Sequence, residues 1–480
     1  MDLLTLPGYR PGSAEPYYTG VFRDPIGEAF AALAARDPAR PLVVSPTRRA
    51  TLGEVAALAG GAAAALAALG LEPGTLVAVA APGPAAFLAG WLGARRAGAA
   101  PLLVDASVPQ AARRQTAAAL GAAAILTATA AWPVADPWRL ETVAGEPRLL
   151  PADTAAVKLT SGSTGEPRGI VVPAAALVAD DEQLTATMGL GAGDRLLAAL
   201  PLSHSYGLSS LALPALRRGA LLAVPDGRGP FDAFAAARAA EATFFPTVPA
   251  FLAPLVELAE PPAWPPSLRL VVSAGAPLLP ATAERFRRRF GRPVHVFYGA
   301  SECGGIAYDR DGGAAERGTV GAPVDGVRVE LEPDDGRVVV ASAAVAAGYL
   351  PAPDPRLDGG RFTTGDLGEW RHGELALRGR ADDLVIVRGR NVQPGEVETV
   401  LRALRGVDDV AVLGVPHERA REPVLRAVIA CRPGALTHDD VARFCRERLA
   451  EHKVPRSIVF VAALPRTERG KLDRAALARL

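Results

Sequence analysis

Between Leu76 and Tyr298 the chain keeps one rhythm: a short apolar run, a longer segment of helical spacing, then another short run. Leu76 to Ala80, Ala100 to Val104 and Ala124 to Thr127 read as buried strands, with helices over Ala85 to Ala97 and Gln110 to Leu120 between them. Further strands are expected at Arg195 to Ala199, Leu221 to Val224, Ala242 to Phe245, Leu268 to Ser273 and Val294 to Tyr298. Helices at Leu208 to Leu216, Phe231 to Ala240 and Pro280 to Phe290 would connect these. Parallel neighbours need a crossover of about a dozen residues, and a helix supplies it. The rhythm therefore predicts parallel sheets covered by helices. Ligands of such sheets bind beyond the carboxyl ends of the strands. Here those ends run into Pro201-Leu-Ser-His-Ser-Tyr-Gly, Pro246-Thr-Val-Pro, Ala274-Gly-Ala-Pro and Gly299-Ala-Ser-Glu, all polar or Gly-bearing.

Two helices precede this region, at Asp24 to Arg36 and Thr51 to Leu69. In the second, Glu54 follows Thr51 by three residues, a capping box. The Ala- and Gly-rich run behind it, with Leu at near-helical spacing, predicts a packed helix rather than low complexity. From about Gly318 the texture changes. Val327 to Leu331 and Arg337 to Ala341 alternate like an antiparallel pair. Arg378-Gly-Arg-Ala-Asp-Asp is charged and turn-forming, a candidate hinge. Beyond it, strands at Leu384 to Arg388, Val407 to Leu413, Val424 to Ala430 and Ser457 to Val461, with helices at Gly395 to Leu404 and His438 to Leu449, form a small α+β unit. The expected architecture is α/β: a large N-terminal region of parallel α/β subdomains with a small β-rich subdomain, over residues 1–381, and a small C-terminal α+β domain over 382–480.

Composition narrows the function by exclusion. Over 480 residues, 52 Lys plus Arg stand against 51 Asp plus Glu. A net charge of +1 gives no global attraction to nucleic acid or to an anionic membrane. Cys303, Cys431 and Cys445 have no paired spacing, which argues against a disulfide framework or a thiol zinc site. No apolar stretch is long enough to span a membrane, and Met1 is not followed by a basic and then apolar leader. A soluble cytoplasmic enzyme is expected.

The chemistry concentrates first in Ala155 to Val172, where two apolar runs flank Thr160, Ser161, Gly162, Ser163, Thr164, Gly165, Glu166, Pro167, Arg168 and Gly169. Gly lets successive backbone N–H groups face one concavity, hydroxyls add donors, and Arg168 adds a permanent positive fork. That composition suits phosphate, although it lacks the Gly-Lys-Ser/Thr of a Walker loop; a Ser/Gly surface turn would read alike. Glu302, after Tyr298-Gly-Ala-Ser, is the candidate ligand of Mg²⁺, which favours one carboxylate shared with phosphate oxygens. Tyr298 could stack on a flat base or serve as core. Asp366, in Thr-Thr-Gly-Asp, suits a ribose diol or a simple Asx turn. Arg380 could join Asp366 or pair with Asp382. Lys471, in Glu-Arg-Gly-Lys, could be catalytic or merely solvated.

Taken together and in order, these segments resemble the adenylate-forming superfamily of acyl-CoA synthetases, luciferases and peptide-synthetase adenylation domains. The resemblance rests on residues 160–169, Tyr298-Gly-Ala-Ser-Glu, Thr364-Gly-Asp, Gly379-Arg-Ala-Asp-Asp and Gly470-Lys, and runs from about Asp24 to the end. It implies that a carboxylate attacks the α-phosphate of ATP, releasing pyrophosphate, and that a thiol then takes the acyl group from the adenylate. By the same resemblance residues 160–165 and Arg168 would hold the β- and γ-phosphates. Gly275, Ala276, Pro277, Tyr298 and Gly299 would border the adenine, Ser301 and Glu302 would serve phosphate and Mg²⁺, and Asp366 and Arg380 the ribose. Lys471 would bridge carboxylate and α-phosphate from a mobile C-terminal domain hinged at Asp382. Arg168, Ser301 and Ile386 depart from the commoner Lys, Thr and Lys.

The same resemblance bears on the acid. The segment His204-Ser-Tyr-Gly-Leu-Ser lacks the Asp with which amino-acid-activating relatives hold an ammonium, and an unpaired ammonium in an apolar site would be costly. His204 would gate or line the acyl site, or else be a satisfied residue behind it. Phe244, Phe245, Val248 and Pro249, with Gly299 and Gly304 to Ile306, would line an apolar slot or else be ordinary core. A fatty or aromatic acid is expected, with CoA or the phosphopantetheine of an acyl carrier protein as acceptor. A stand-alone amino-acid adenylating enzyme and a non-catalytic nucleotide-binding protein are the competing readings. A serine hydrolase lacks its Gly-x-Ser-x-Gly elbow here.

Overall fold

Thr51 starts the first long helix, Leu52–Ala67, by reciprocal capping. The Glu54 amide donates to Thr51 Oγ1 at 3.2 Å and the Thr51 amide to Glu54 Oε2 at 2.8 Å. The Ala-rich composition of this helix is explained by its partner, Gly83–Arg96. A Cβ added at Gly93 would fall 2.4 Å from the Ala62 Cβ and 2.8 Å from the Ala59 carbonyl oxygen. The two helices cross at near backbone contact, which only small side chains permit.

The structure is a computed structural model that describes residues 24–161, 167–381, 385–387, 390–416, 423–466 and 472–480. The expected rhythm resolves into two large sheets. In the seven-stranded sheet, Thr154–Ser161, Ala100–Leu103, Leu76–Val79 and Ala124–Ala128 run parallel; Trp138–Thr142, Pro167–Pro173 and Gly348–Leu350 add antiparallel edges. In the nine-stranded sheet, Pro41–Val44, Leu221–Ala223, Arg195–Leu197, Phe244–Thr247, Leu270–Ser273 and His295–Ala300 run parallel. Gly304–Tyr308, Ala322–Pro323 and Arg49–Thr51 close its edges in antiparallel fashion. A third sheet is wholly antiparallel, built from Arg328–Leu331, Arg337–Ala341, Leu357–Asp358, Arg361–Arg371 and Glu374–Arg380. One hydrophobic cluster joins all three sheets, reaching from Val77 and Leu103 through Leu196 and Phe244 to Val338 and Leu375.

Beyond Val385 the strands belong to separate small sheets, Val385–Val387 with Arg390–Val392, and Asp409–Val415, Val424–Ala430 and Ser457–Val461. Their core, including Val397, Leu401, Val412, Ile429 and Val441, draws its buried residues from this unit alone. The molecule is thus a mixed α/β protein with a large N-terminal and a small C-terminal region. Among the described residues no helix is long and apolar enough to cross a membrane.

Several elements depart from the sequence expectation. The pair Pro41–Val44 and Arg49–Thr51, the strand Trp138–Thr142 and the helix Pro249–Glu257 were not anticipated. Arg49–Thr51 and Trp138–Thr142 are edge strands and Pro41–Val44 lies just inside one edge, all short runs that carry little periodicity; the helix carries an internal Pro254 that reads as a breaker. Leu208 to Leu216 is not one regular α-helix: Leu208–Ala212 is π-helical before the α-turns of Leu213–Arg218. Phe244 and Phe245 are packed in the core. Successive strand residues face opposite ways, so Phe244 enters the cluster between the sheets and Phe245 the outer one, both fully buried.

Candidate active site

The segment Tyr298 to Glu302 lies where the strand His295–Ala300 leaves its sheet, and it collects partners from every large sheet. The Tyr298 hydroxyl donates to Asp366 Oδ2 at 2.6 Å, across a sequence distance of 68 residues. Burial, and then the Asp366 carboxylate beside it, push the Tyr298 phenol well above its ordinary value, so it remains a donor. Asp366 faces Arg380 across the antiparallel ladder, and Arg380 Nη1 donates to Asp366 Oδ1 at 3.1 Å. Thr364 Oγ1 accepts from the Asp366 amide at 3.0 Å within the strand Arg361–Arg371. Tyr298, Asp366 and Arg380 are therefore one connected unit. Arg380 does join Asp366, while Asp382 lies outside the described residues.

Gly275, Ala276 and Pro277 form an exposed loop beyond Leu270–Ser273, the strand paired with the one that carries Tyr298. At Gly275 φ is +81°, a conformation open to glycine. Gly299 is also exposed, and a Cβ there would sit 2.7 Å from the Gly304 carbonyl oxygen.

Glu302 accepts a hydrogen bond from the Tyr349 hydroxyl at 2.9 Å. The guanidinium of Arg168 lies 4.3 Å from the centre of the Tyr349 ring. It donates through both terminal nitrogens to Asp354 Oδ2, each at 3.1 Å. Arg356 holds the same carboxylate, donating from Nη2 at 2.8 Å. Arg356, and then Arg168, hold the Asp354 carboxyl well below the usual carboxylate range. Thr160 is the cross-strand partner of Arg168, and Ser161 of Pro167, so both stand at the rim of the loop. Gly162, Ser163, Thr164 and Gly165 lie outside the described residues, as do Asp382, Gly389 and Lys471. Ile386 stands in the strand Val385–Val387.

Ser301 Oγ is joined to Ser205 Oγ at 2.7 Å. His204, at the start of the short helix Ser205–Gly207, faces Asp105, with Nε2 3.3 Å from Oδ2. That contact, followed by the hydrogen bonds of Ser107, holds the Asp105 carboxyl well below its ordinary value. Among the described residues no group of three or more His, Cys, Asp or Glu could cage a metal. Glu302 stands as a lone carboxylate with one oxygen bound to Tyr349, a donor set that fits Mg²⁺ shared with phosphate oxygens.

Sequence reasoning missed Tyr349, Asp354, Asp105, Ser205 and Lys158. The first four carry no local signal, because their partners are remote in sequence. Lys158 did carry one: it interrupts the buried strand Ala155-Ala-Val-Lys-Leu with a charge.

Comparison with known proteins gives the family. Residues 30–350 match the family described as AMP-binding enzyme, and residues 396–471 match the AMP-binding enzyme C-terminal domain. The chain is 27% identical over 470 residues to the long-chain-fatty-acid–CoA ligase FadD13 of Mycobacterium tuberculosis, covering 89% of this chain and 92% of that one. It is 30% identical over 492 residues to an octahydroindenyl-propanoyl:CoA ligase of the same organism, covering 92% and 96%. The crystal structure of ATP-bound MatB from Rhodopseudomonas palustris superposes with a TM-score of 0.81 at 26% identity, covering 94% of this chain and 98% of that one. With its family profile matched over more than half its length, the chain belongs to the AMP-binding enzymes.

Proposed function

We propose that this protein is an AMP-forming acid–thiol ligase. It activates a fatty or aromatic carboxylic acid with ATP, releases pyrophosphate, and passes the acyl group to the thiol of CoA. The observation that carries the reading is the Tyr298–Asp366–Arg380 unit, a half-buried phenol, a carboxylate and a guanidinium set side by side. In this reading Asp366 accepts from the ribose hydroxyls, Arg380 keeps Asp366 ionised and oriented, and Tyr298 lies along the adenine beside the Gly275–Pro277 loop. Residues 160–165 and Arg168 receive the β- and γ-phosphates; to do so Arg168 exchanges Asp354 for phosphate oxygens. Ser301 donates to the α-phosphate, and Glu302 holds Mg²⁺, which neutralises charge on the phosphate oxygens when bound.

Lys471 supplies positive charge between the attacking carboxylate and the α-phosphate, where charge develops. It acts from a C-terminal domain, residues 382–480, that turns about Asp382 between the two half-reactions. His204, held by Asp105, borders the acyl entrance. Both relatives are CoA ligases by name, which supports CoA as the acceptor; the phosphopantetheine of an acyl carrier protein presents the same thiol.

The test is a panel of acids with ATP and Mg²⁺, read by pyrophosphate. Release is expected only when a suitable acid is present, followed by thioester formation on adding CoA. Acid-dependent release of ADP instead would place the cleavage at the wrong phosphorus and overturn the proposal. Thioester formation with a loaded carrier protein and none with CoA would reassign the acceptor.

A further inference from the structure

Lys158 is the one buried lysine that the proposed reaction leaves unused among the described residues. It stands on the strand Thr154–Ser161, on the same face as Ala156, which packs in the cluster between the sheets. Its residue exposure is 3%. An ammonium has three N–H donors. Among the described residues its single hydrogen bond is to the Ser301 carbonyl oxygen, and at 3.4 Å it is long. Among the described residues no carboxylate lies within salt-bridge distance of it. Burial accordingly pushes the Lys158 ammonium below its ordinary value, against the weaker opposing fields of Asp180, Cys303 and Glu302.

Asp180 does not fill the gap. It is buried on the helix Ala174–Met188, and both its oxygens are engaged. Oδ2 accepts from the Ser209 hydroxyl, and Oδ1 accepts from the Gly305 amide at 3.0 Å. Gly304 brings the backbone close: a Cβ there would fall 2.2 Å from Asp180 Oδ1. The result is a polar floor inside an otherwise apolar core, made by Lys158, Asp180 and Ser209. It lies directly behind Ser301, whose hydroxyl bonds Ser205 on the His204 segment. A buried cation without a carboxylate partner is costly, and a bound anion removes that cost.

We infer that the acid this enzyme activates carries a second anionic group, and that Lys158 is the residue that recognises it. The inference rests on the ligase reading above and narrows its substrate class: an aliphatic or aromatic body with one carboxylate toward the nucleotide and a second anion on Lys158. Asp180 and Ser209 are positioning residues. They keep the ammonium charged and anchor the turn at Gly304 and Gly305 against which the tail lies.

The test compares matched acids, each α,ω-dicarboxylic acid against the monocarboxylic acid of equal length, and each benzoate against its carboxylated counterpart. Wild-type kcat/KM for pyrophosphate release is expected to favour the diacid in at least one pair by roughly ten- to a hundred-fold, the worth of one charge-assisted hydrogen bond. Lys158→Met, similar in length but uncharged, should erase that ratio chiefly through KM, and Lys158→Arg should restore part of it. Wild type favouring the monoacid in every pair would overturn the inference without touching the ligase reading. A ratio unchanged in Lys158→Met would also overturn it, because a purely structural lysine would lower both members alike. No pyrophosphate with any acid would instead overturn the ligase reading itself. The wild-type comparison stands even where a variant fails to fold.

Discussion

Arg168 and Lys158 sit ten residues apart on two paired strands, yet the fold treats their charges in opposite ways. Arg168 is at the rim, its side chain 26% exposed, with both terminal nitrogens on one Asp354 oxygen and Tyr349 beneath it. Lys158 is inside, 3% exposed, with one long bond to a carbonyl. A partly exposed ion pair is worth about 0–1 kcal/mol, so its partner can be exchanged for phosphate at little cost. A buried cation cannot be exchanged for water, and its environment must be built for it. The rim is where a ligand common to many enzymes, a nucleotide triphosphate, would be gripped. The interior is where a particular acid would be selected.

The largest expected effect is on the buried side. Asp180→Ala leaves the Gly305 amide and Ser209 hydroxyl unpaired and removes the anion that helps keep Lys158 charged. Unfolding by denaturant should show a loss of about 3 kcal/mol. The double variant with Lys158→Met should recover part of it, with a coupling energy above about 0.5 kcal/mol. Strict additivity would mean that the two groups are independent, and the contrast between interior and rim would lose its basis.

An intermediate effect is expected at the nucleotide unit. Asp366→Ala removes the carboxylate that Tyr298 and Arg380 share and should weaken ATP binding roughly ten- to a hundred-fold, with stability little changed. Equilibrium titration with ATP reads this directly. Unaltered affinity would remove Asp366 from the ribose and with it the observation on which the nucleotide placement stands.

The smallest effect is expected at the rim. Asp354→Ala should cost no more than about 1 kcal/mol of stability and should leave ATP affinity equal or higher, since Arg168 is then free for phosphate. It should also change the pH profile. Asp354 is held below its unfolded value by Arg356 and Arg168. Its contribution is therefore present above the unfolded carboxyl value of about 3.9 and is lost as pH falls toward the folded value. Denaturation midpoints measured from neutral pH downward should lose that acid-side decline in the variant. A large fall in ATP affinity would make Asp354 part of the binding site rather than a stand-in for phosphate.

Much of this was readable along the chain because it is local. Apolar runs separated by helical segments specify parallel sheets wherever they occur, and Thr51 with Glu54 specifies a helix start without reference to anything distant. The order of Thr160 to Gly169, Tyr298 to Glu302, Thr364 to Asp366 and Gly379 to Asp383 identified the family's chemistry, since each segment is a contiguous motif. Edge strands such as Trp138–Thr142 were not readable, because what holds Trp138 is the Leu58 carbonyl oxygen, 3.0 Å from its indole nitrogen and 80 residues away in sequence.

The sequence by itself determined the sheet type, the capped and Ala-rich helices, and the ordered motifs that mark the family. Tertiary structure alone decided what each charge faces. Hydrogen bonds and desolvation act over a few ångströms, and the folded chain brings Tyr298 to Asp366, Arg168 to Asp354, and Lys158 to the Ser301 carbonyl across 68, 186 and 143 residues. Whether a lysine is a solvated handle or a buried, under-bonded cation depends on those distances, and no local pattern encodes them.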